Sequence, residues 1–255
     1  PYLYKAAIEK YHLLTYLFSH DELGANAYED IFEMEAIQPT DYLRQGYEIV
    51  KDIREIIQQS SDIEADAMAA VYEGDFRMLL GIGLAQRSYR EAMELFGEAG
   101  KSEQEIADFF SRPIVLPETE YYYTMEDAIA AQNASGYRYI RGEEGNDPVV
   151  HLGNFVAWNE SLLNAAKPPP PEVLLDLEME LHRADLRFTI RSRGDTRTPD
   201  AESSEPDTVQ AKVDAQDALK MMIFRPRFRG NRWRRIEDVT ITYWYPPEKW
   251  VRQVA

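Results

Sequence analysis

The stretch LDLEMELHRADLRFTIR, residues 175–191, alternates apolar and polar side chains almost without a break. Leu175, Leu177, Met179 and Leu181 fall on one parity, with Asp176, Glu178, Glu180 and His182 between them. Leu186, Phe188 and Ile190 then alternate with Arg187, Thr189 and Arg191. Successive side chains of a strand point to opposite faces, so this pattern predicts two amphipathic strands, each with one face in a core and one in water. The phase slips at Arg183 to Asp185, which predicts a hairpin turn there. Acids on the first strand would then oppose arginines on the second, a cross-strand arrangement worth at most about 1 kcal/mol per pair.

The rest of the C-terminal part follows the same period. A strand pair is predicted from Met221 to Arg229, turning at Gly230-Asn231, and then over Val239 to Tyr245, where Val239, Ile241, Tyr243 and Tyr245 share a face. Residues 194–208 lack any apolar period and read as a mobile surface loop. Together these predict an antiparallel β domain over residues 172–255.

Upstream of this region the period lengthens. Leu43, Tyr47, Val50, Ile53 and Ile57 form one apolar stripe at helical spacing, with Glu48, Lys51, Asp52 and Glu55 on the other side. Met78, Ile82, Ala85, Tyr89, Ala92 and Phe96 repeat the rule, which predicts a helix starting near Gly74-Asp75 and stopping between Gly97 and Gly100. Ser102 followed by Glu105 is a capping box that opens a short helix through Phe109 and Phe110. With Tyr4 to Phe18 and Ala27 to Ile37 also helical, residues 1–111 read as an acidic helical bundle or array. No internal repeat is evident. The fold class is therefore α+β: helices first, antiparallel sheet last.

Between them, residues 112–171 form a mixed connector. Thr124 and Asp127 cap a predicted helix over Met125 to Ala134, and residues 137–141 read as half of a hairpin. Pro168 to Pro171 is a stiff, extended spacer that neither continues a helix nor donates to a sheet, and the domain boundary is placed there.

Charge separates the parts further. Residues 1–150 hold 29 Asp and Glu against 12 Lys and Arg, a net of −17, while residues 151–255 hold 16 of each. A field of that sign repels phosphates and anionic membranes and favours a basic surface as partner for residues 1–150. With no cysteine, disulfides, thiolate nucleophiles and Cys-ligated zinc are excluded. No apolar run is long enough for a membrane span, and no charged-then-apolar leader opens the chain, so no membrane insertion is expected. A soluble intracellular or organellar compartment is expected rather than secretion.

The constellation singled out for function is Lys220 to Arg235, which contains no acid. Arg225, Arg227, Arg229, Arg232, Arg234 and Arg235 interleave there with Phe224, Phe228 and Trp233. If Phe224, Pro226 and Phe228 point inward, then Arg225, Arg227 and Arg229 project from one strand face. Such a row of planar cations suits an acidic protein surface, or phosphate and nucleic acid. The plain reading is a charged face that docks within the chain.

Three weaker signals complete the set. Asp176, Glu178, Glu180 and His182 would share one strand face about 6.5–7 Å apart, a spacing able to bracket a divalent ion or divide acid and base roles, though any half-exposed strand alternates in this way. No metal is expected there. Glu9 and His12 make half of a di-iron helix motif with no second copy. Gly81-Ile-Gly83 resembles the start of a dinucleotide loop but has no preceding strand, and reads instead as close helix packing. With no nucleophile elbow, Walker A or zincin motif, no cofactor is expected. The expected function is a non-catalytic structural or adaptor subunit of a larger assembly. A nucleic-acid-binding module is the second reading, and a carboxylate-based or metal-dependent enzyme the third.

Overall fold

The computed structural model describes residues 2–8, 10, 39–118, 120–140, 148–156, 182–229 and 232–245. These fall into two compact units. One comprises residues 1–106 and 117–127, the other residues 107–116 and 128–255. The α+β class is what the structure has, helices first and the main sheet in the second unit. The described residues of 112–171 are shared between the two units.

In the first unit residues 2–8 are helical, followed by α1 (Pro39–Ser60), α2 (Ile63–Leu79) and α3 (Ala85–Glu98). Helix α2 is the centre of this unit, since every residue from Ala65 to Phe76 is buried. Its sequence permits this because Ala65, Ala67, Ala69, Ala70 and Gly74 let neighbours close in. A Cβ on Gly74 would lie 2.9 Å from the Tyr89 ring of α3, and one on Gly46 of α1 would lie 2.5 Å from the Phe76 ring. Asp62 caps the helix by accepting a hydrogen bond from the Ala65 N–H at 3.1 Å.

The single helix expected from Met78 to Phe96 is in fact two. Gly74 and Asp75 lie inside α2, which ends in a Schellman motif: the Gly81 N–H bonds the Met78 carbonyl at 3.1 Å and the Ile82 N–H bonds the Arg77 carbonyl at 2.9 Å. Gly81 adopts φ +63° there, a conformation that costs glycine little. A Cβ on Gly81 or Gly83 would meet nothing within 4 Å, so these glycines make a turn and not a close helix contact. The helix end at Gly97 to Gly100 is as expected, closed by a second Schellman motif from Gly100 and Lys101 to Gly97 and Phe96. The Ser102–Glu105 capping box is also present, with the Ser102 N–H donating to the Glu105 carboxylate at 2.8 Å and the Glu105 N–H to Ser102 Oγ at 3.3 Å. It opens α4 (Glu103–Phe109). Thr124 and Asp127 likewise cap α5 (Met125–Ala134).

The second unit is built on a five-stranded sheet. Its strands are β2 (Arg138–Ile140), β3 (Val149–Val156), β4 (His182–Ile190), β5 (Thr196–Glu205) and β9 (Ile236–Tyr245), in the order β2-β3-β9-β4-β5. All neighbours are antiparallel except β3 and β9, which run parallel, so the sheet is mixed and not wholly antiparallel. Leu186, Phe188 and Ile190 of β4 and Val239, Ile241 and Tyr243 of β9 share the buried face, as their alternation predicts. That face is covered by α6 (Val209–Met221) through Ala215 and Leu219.

Two expectations fail here for identifiable reasons. Arg183 to Asp185 are not a turn but part of the continuous strand β4, whose buried positions Ala184, Leu186, Phe188 and Ile190 keep one parity, while the other half of the expected hairpin, residues 175–181, lies outside the described residues. Register shifts between Asp185 and Leu186, where β5 carries the extra residue Glu202. Residues 194–208 are not a mobile loop, since Thr196 to Glu205 form a ten-residue edge strand. Its composition, TRTPDAESSE, reads as loop because an edge strand with bulges and a proline needs little apolar alternation. The expected strand from Met221 is also shorter, because α6 runs through Met221. Residues 9, 11–38, 141–147, 157–181 and 246–255 lie outside the described residues, and with them Glu9, His12, Asp176, Glu178, Glu180 and the proline run.

Candidate functional site: an arginine hairpin and a polar sheet face

The arginine-rich stretch folds as β6 (Ile223–Phe224), β7 (Arg227–Arg229) and β8 (Arg232–Arg234). Strand β6 pairs with β1 (Val115–Leu116), Val115 opposite Phe224. Beyond the pair the same alignment continues: the Arg225 N–H donates to the Ile114 carbonyl and the Phe228 N–H to the Phe110 carbonyl, each at 2.9 Å. Residues 110–116 therefore form the bed on which the hairpin is laid.

The register of β7 and β8 sorts its side chains. Arg227 is opposite Arg234, Phe228 opposite Trp233, and Arg229 opposite Arg232. Phe228 is buried, and its ring meets that of Trp233 edge to face at a centroid distance of 5.0 Å. With the aromatic pair on the core side, Arg232 and Arg234 occupy the other parity of β8. Arg232 and Arg234 are exposed, and neither forms an ion pair among the described residues. Arg235 is exposed too, but its guanidinium is 2.8 Å from the Glu237 carboxylate.

Arg225 is not part of this face. It is among the most deeply buried side chains of the chain, 1% exposed, with its guanidinium carbon 5.8 Å from the centre of the Phe109 ring. The expectation that Arg225 projects with Arg227 fails because residues 224–226 are all buried, which interrupts the alternation between β6 and β7. The sequence predicts Arg225, Arg227 and Arg229 on one strand face; the structure buries Arg225 and leaves Arg232 and Arg234 exposed.

A second polar constellation escapes sequence reading because its members are far apart in the chain. On the face of the five-stranded sheet away from α6, Asp185 sits between Thr242 of β9 and Ser203 of β5. Its carboxylate accepts from Thr242 Oγ1 at 2.8 Å, from Ser203 Oγ at 2.6 Å and from Arg183 Nη2 at 2.9 and 3.1 Å. Burial alone would push the Asp185 carboxyl up, but the hydrogen bonds from Ser203, Thr242 and Arg183 outweigh it and hold the group below the usual carboxylate value. One row further along, His151 Nδ1 lies 2.9 Å from Thr240 Oγ1. Burial, and next the Arg138 charge, hold the His151 imidazole below its usual value against the opposing pull of Asp185. Arg183 also lies over the Trp244 ring, its guanidinium carbon 5.7 Å from the centroid. With these four hydrogen bonds this carboxylate ties strands β5, β4 and β9 together.

The first unit holds a third cluster. Arg54 of α1 donates through Nε to Asp66 at 2.7 Å, through Nη1 to Glu73 at 2.8 Å and through Nη2 to Glu91, so one guanidinium clamps three helices. Glu73 also accepts from Arg77 at 2.6 Å. Among the described residues, no group of three or more His, Asp or Glu is arranged to hold a metal ion. None of their helices is long and apolar enough to cross a membrane.

Family models, curated proteins and solved structures were compared with the chain, and none matches it. By sequence the first unit holds 25 acidic against 9 basic residues, a net of −16, while the second holds 20 against 19, a net of −1.

Proposed function

We propose that the protein is a non-catalytic adaptor subunit of a larger assembly, docking through the arginine face of the β7–β8 hairpin onto an acidic protein surface. The observation that carries this reading is the pair of opposed arginine rungs on a buried aromatic base, with Arg232 and Arg234 exposed and without an ion pair among the described residues. Like charges directly opposite one another destabilise a strand pair, and the stretch from Lys220 to Arg235 contains no acid. An anionic partner converts that cost into charge-assisted, bidentate hydrogen bonds. The first unit, at −16, serves the same assembly from the other side of the charge scale, as a surface for a basic partner.

The test is capture from native extract by the intact chain and by a variant carrying Arg227→Gln, Arg232→Gln and Arg234→Gln. The adaptor reading expects protein partners that the parent retains at low salt and the variant loses. Identical partners on both would remove the hairpin from the account.

A further inference from the structure

We infer that the arginine face receives an extended acidic segment of its partner, with Asp or Glu at every second position. This rests on the docking reading above and narrows it to one shape of ligand. The register fixes the spacing of the charges: the exposed Arg232 and Arg234 of β8 are separated by the single Phe228–Trp233 rung, so they lie two residues apart, about 6.5–7 Å along the strand. An extended segment presents alternate side chains on one face at the same repeat. A helix does not, since residues two apart on a helix turn away from each other. Carboxylates at positions i and i+2 of an extended ligand thus meet successive rungs.

The base of the site is built to hold that geometry. Phe228 is buried beneath the rungs, its ring is packed edge to face with Trp233, and its N–H is tied to Phe110. A pre-formed backbone reduces the ordering cost of binding.

The same sorting separates a carboxylate ligand from single-stranded nucleic acid. Single-strand binding relies on aromatic platforms interleaved with the cations, on which bases stack. In the sequence Phe228 and Trp233 do interleave with the arginines. In the structure they occupy the opposite parity, with their rings engaged in each other. The cationic face carries guanidinium groups and no ring from this pair.

The experiment measures binding of the intact chain to three fluorescein-labelled probes by anisotropy. One is a peptide with Glu alternating with Thr, the second has the same composition with Glu spaced for a helix face, and the third is a single-stranded oligonucleotide of equal charge. The alternating peptide is expected to bind at least about ten-fold more tightly than either, the scale of one charge-assisted hydrogen bond. Arg232→Gln with Arg234→Gln is expected to abolish that preference while the circular dichroism stays at the parent spectrum and the melting temperature does not fall below the parent's, since the change removes like charge from the strand pair. Equal binding of the two acidic peptides overturns the extended-segment inference and leaves the docking reading standing. Tighter binding of the oligonucleotide overturns the inference in favour of phosphate. If the parent chain binds none of the anionic probes, both fall.

Discussion

Phe228 and Trp233 face one another across the β7–β8 pair, their rings at 69° with centroids 5.0 Å apart, and this contact leaves Arg232 and Arg234 on the exposed parity of β8. Phe228 is the buried partner and Trp233 the half-buried one. Removing the Phe228 ring empties a core position, so Phe228→Ala is expected to cost about 3–5 kcal/mol, while Trp233→Ala costs less because its ring already meets water. Urea unfolding of the two variants checks the order. A larger loss at Trp233 would mean that the hairpin is held from its tip and not from its bed.

Arg54 makes a prediction of its own. Its three nitrogens serve Asp66, Glu73 and Glu91, and the first two acids are buried. Taking away the guanidinium leaves their charges uncompensated, so Arg54→Ala is expected to lose about 3–5 kcal/mol. Arg54→Lys recovers only part, because an ammonium on a flexible stem cannot serve three acids in fixed fork geometry. Chemical denaturation of the intact chain reads both. A lysine variant as stable as the parent would show that charge, and not the fork, holds the three helices.

The polar sheet face predicts an acid limb in the stability curve. The Asp185 carboxyl has a lowered value in the folded state, so the unfolded chain binds its proton first as pH falls. Its stabilisation is complete above the unfolded value of about 3.9 and is lost as pH falls through the lower folded value. His151 acts at milder acidity with the same sign: its folded value is also lowered, so stability declines once pH drops below about 6.5, where the unfolded imidazole takes up a proton first. Asp185→Asn is expected to be less stable than the parent at neutral pH and to converge with it in strong acid. His151→Gln is expected to flatten the curve below about pH 6.5. Melting temperatures across pH 3–8 test both; a histidine variant with the parent's slope would place the titrating group elsewhere.

What the sequence made legible was what it writes locally. The capping box at Ser102 and Glu105, the cap at Thr124 and Asp127, and the alternation of Leu186, Phe188 and Ile190 all depend on neighbours within a few residues, and each stands in the structure. The break at Gly81 was missed because the apolar stripe from Met78 to Phe96 keeps its phase across the turn. Strand β5 was missed because an edge strand is specified by its neighbour more than by its own composition. In the candidate site, the reversal between Arg229 and Arg232 and the inward Phe228 could be read directly. Burial of Arg225 depends on residues 110–116, more than a hundred positions away, and nothing in its own neighbourhood announces it.

The arginines of the hairpin should differ in weight. Arg235 already has Glu237 at 2.8 Å, whereas Arg234 has no ion pair among the described residues. Arg234→Ala is therefore expected to weaken partner binding more than Arg235→Ala. If the partner presents carboxylates, Arg234→Lys should cost nearly as much as Arg234→Ala, because the bidentate fork is lost with either. A phosphate backbone would tolerate the lysine, since the Coulomb contribution survives. Titration of the purified partner against the three variants separates these outcomes.

The most direct measurement of the central claim is the dissociation constant of the intact chain for a labelled acidic polypeptide at near-physiological salt, with and without Arg227→Gln, Arg232→Gln and Arg234→Gln. The account predicts at least about a ten-fold loss of affinity in the variant, with the melting temperature within a few degrees of the parent. Unchanged affinity in a variant that remains folded would contradict it, and would show that the arginine hairpin is not the docking surface.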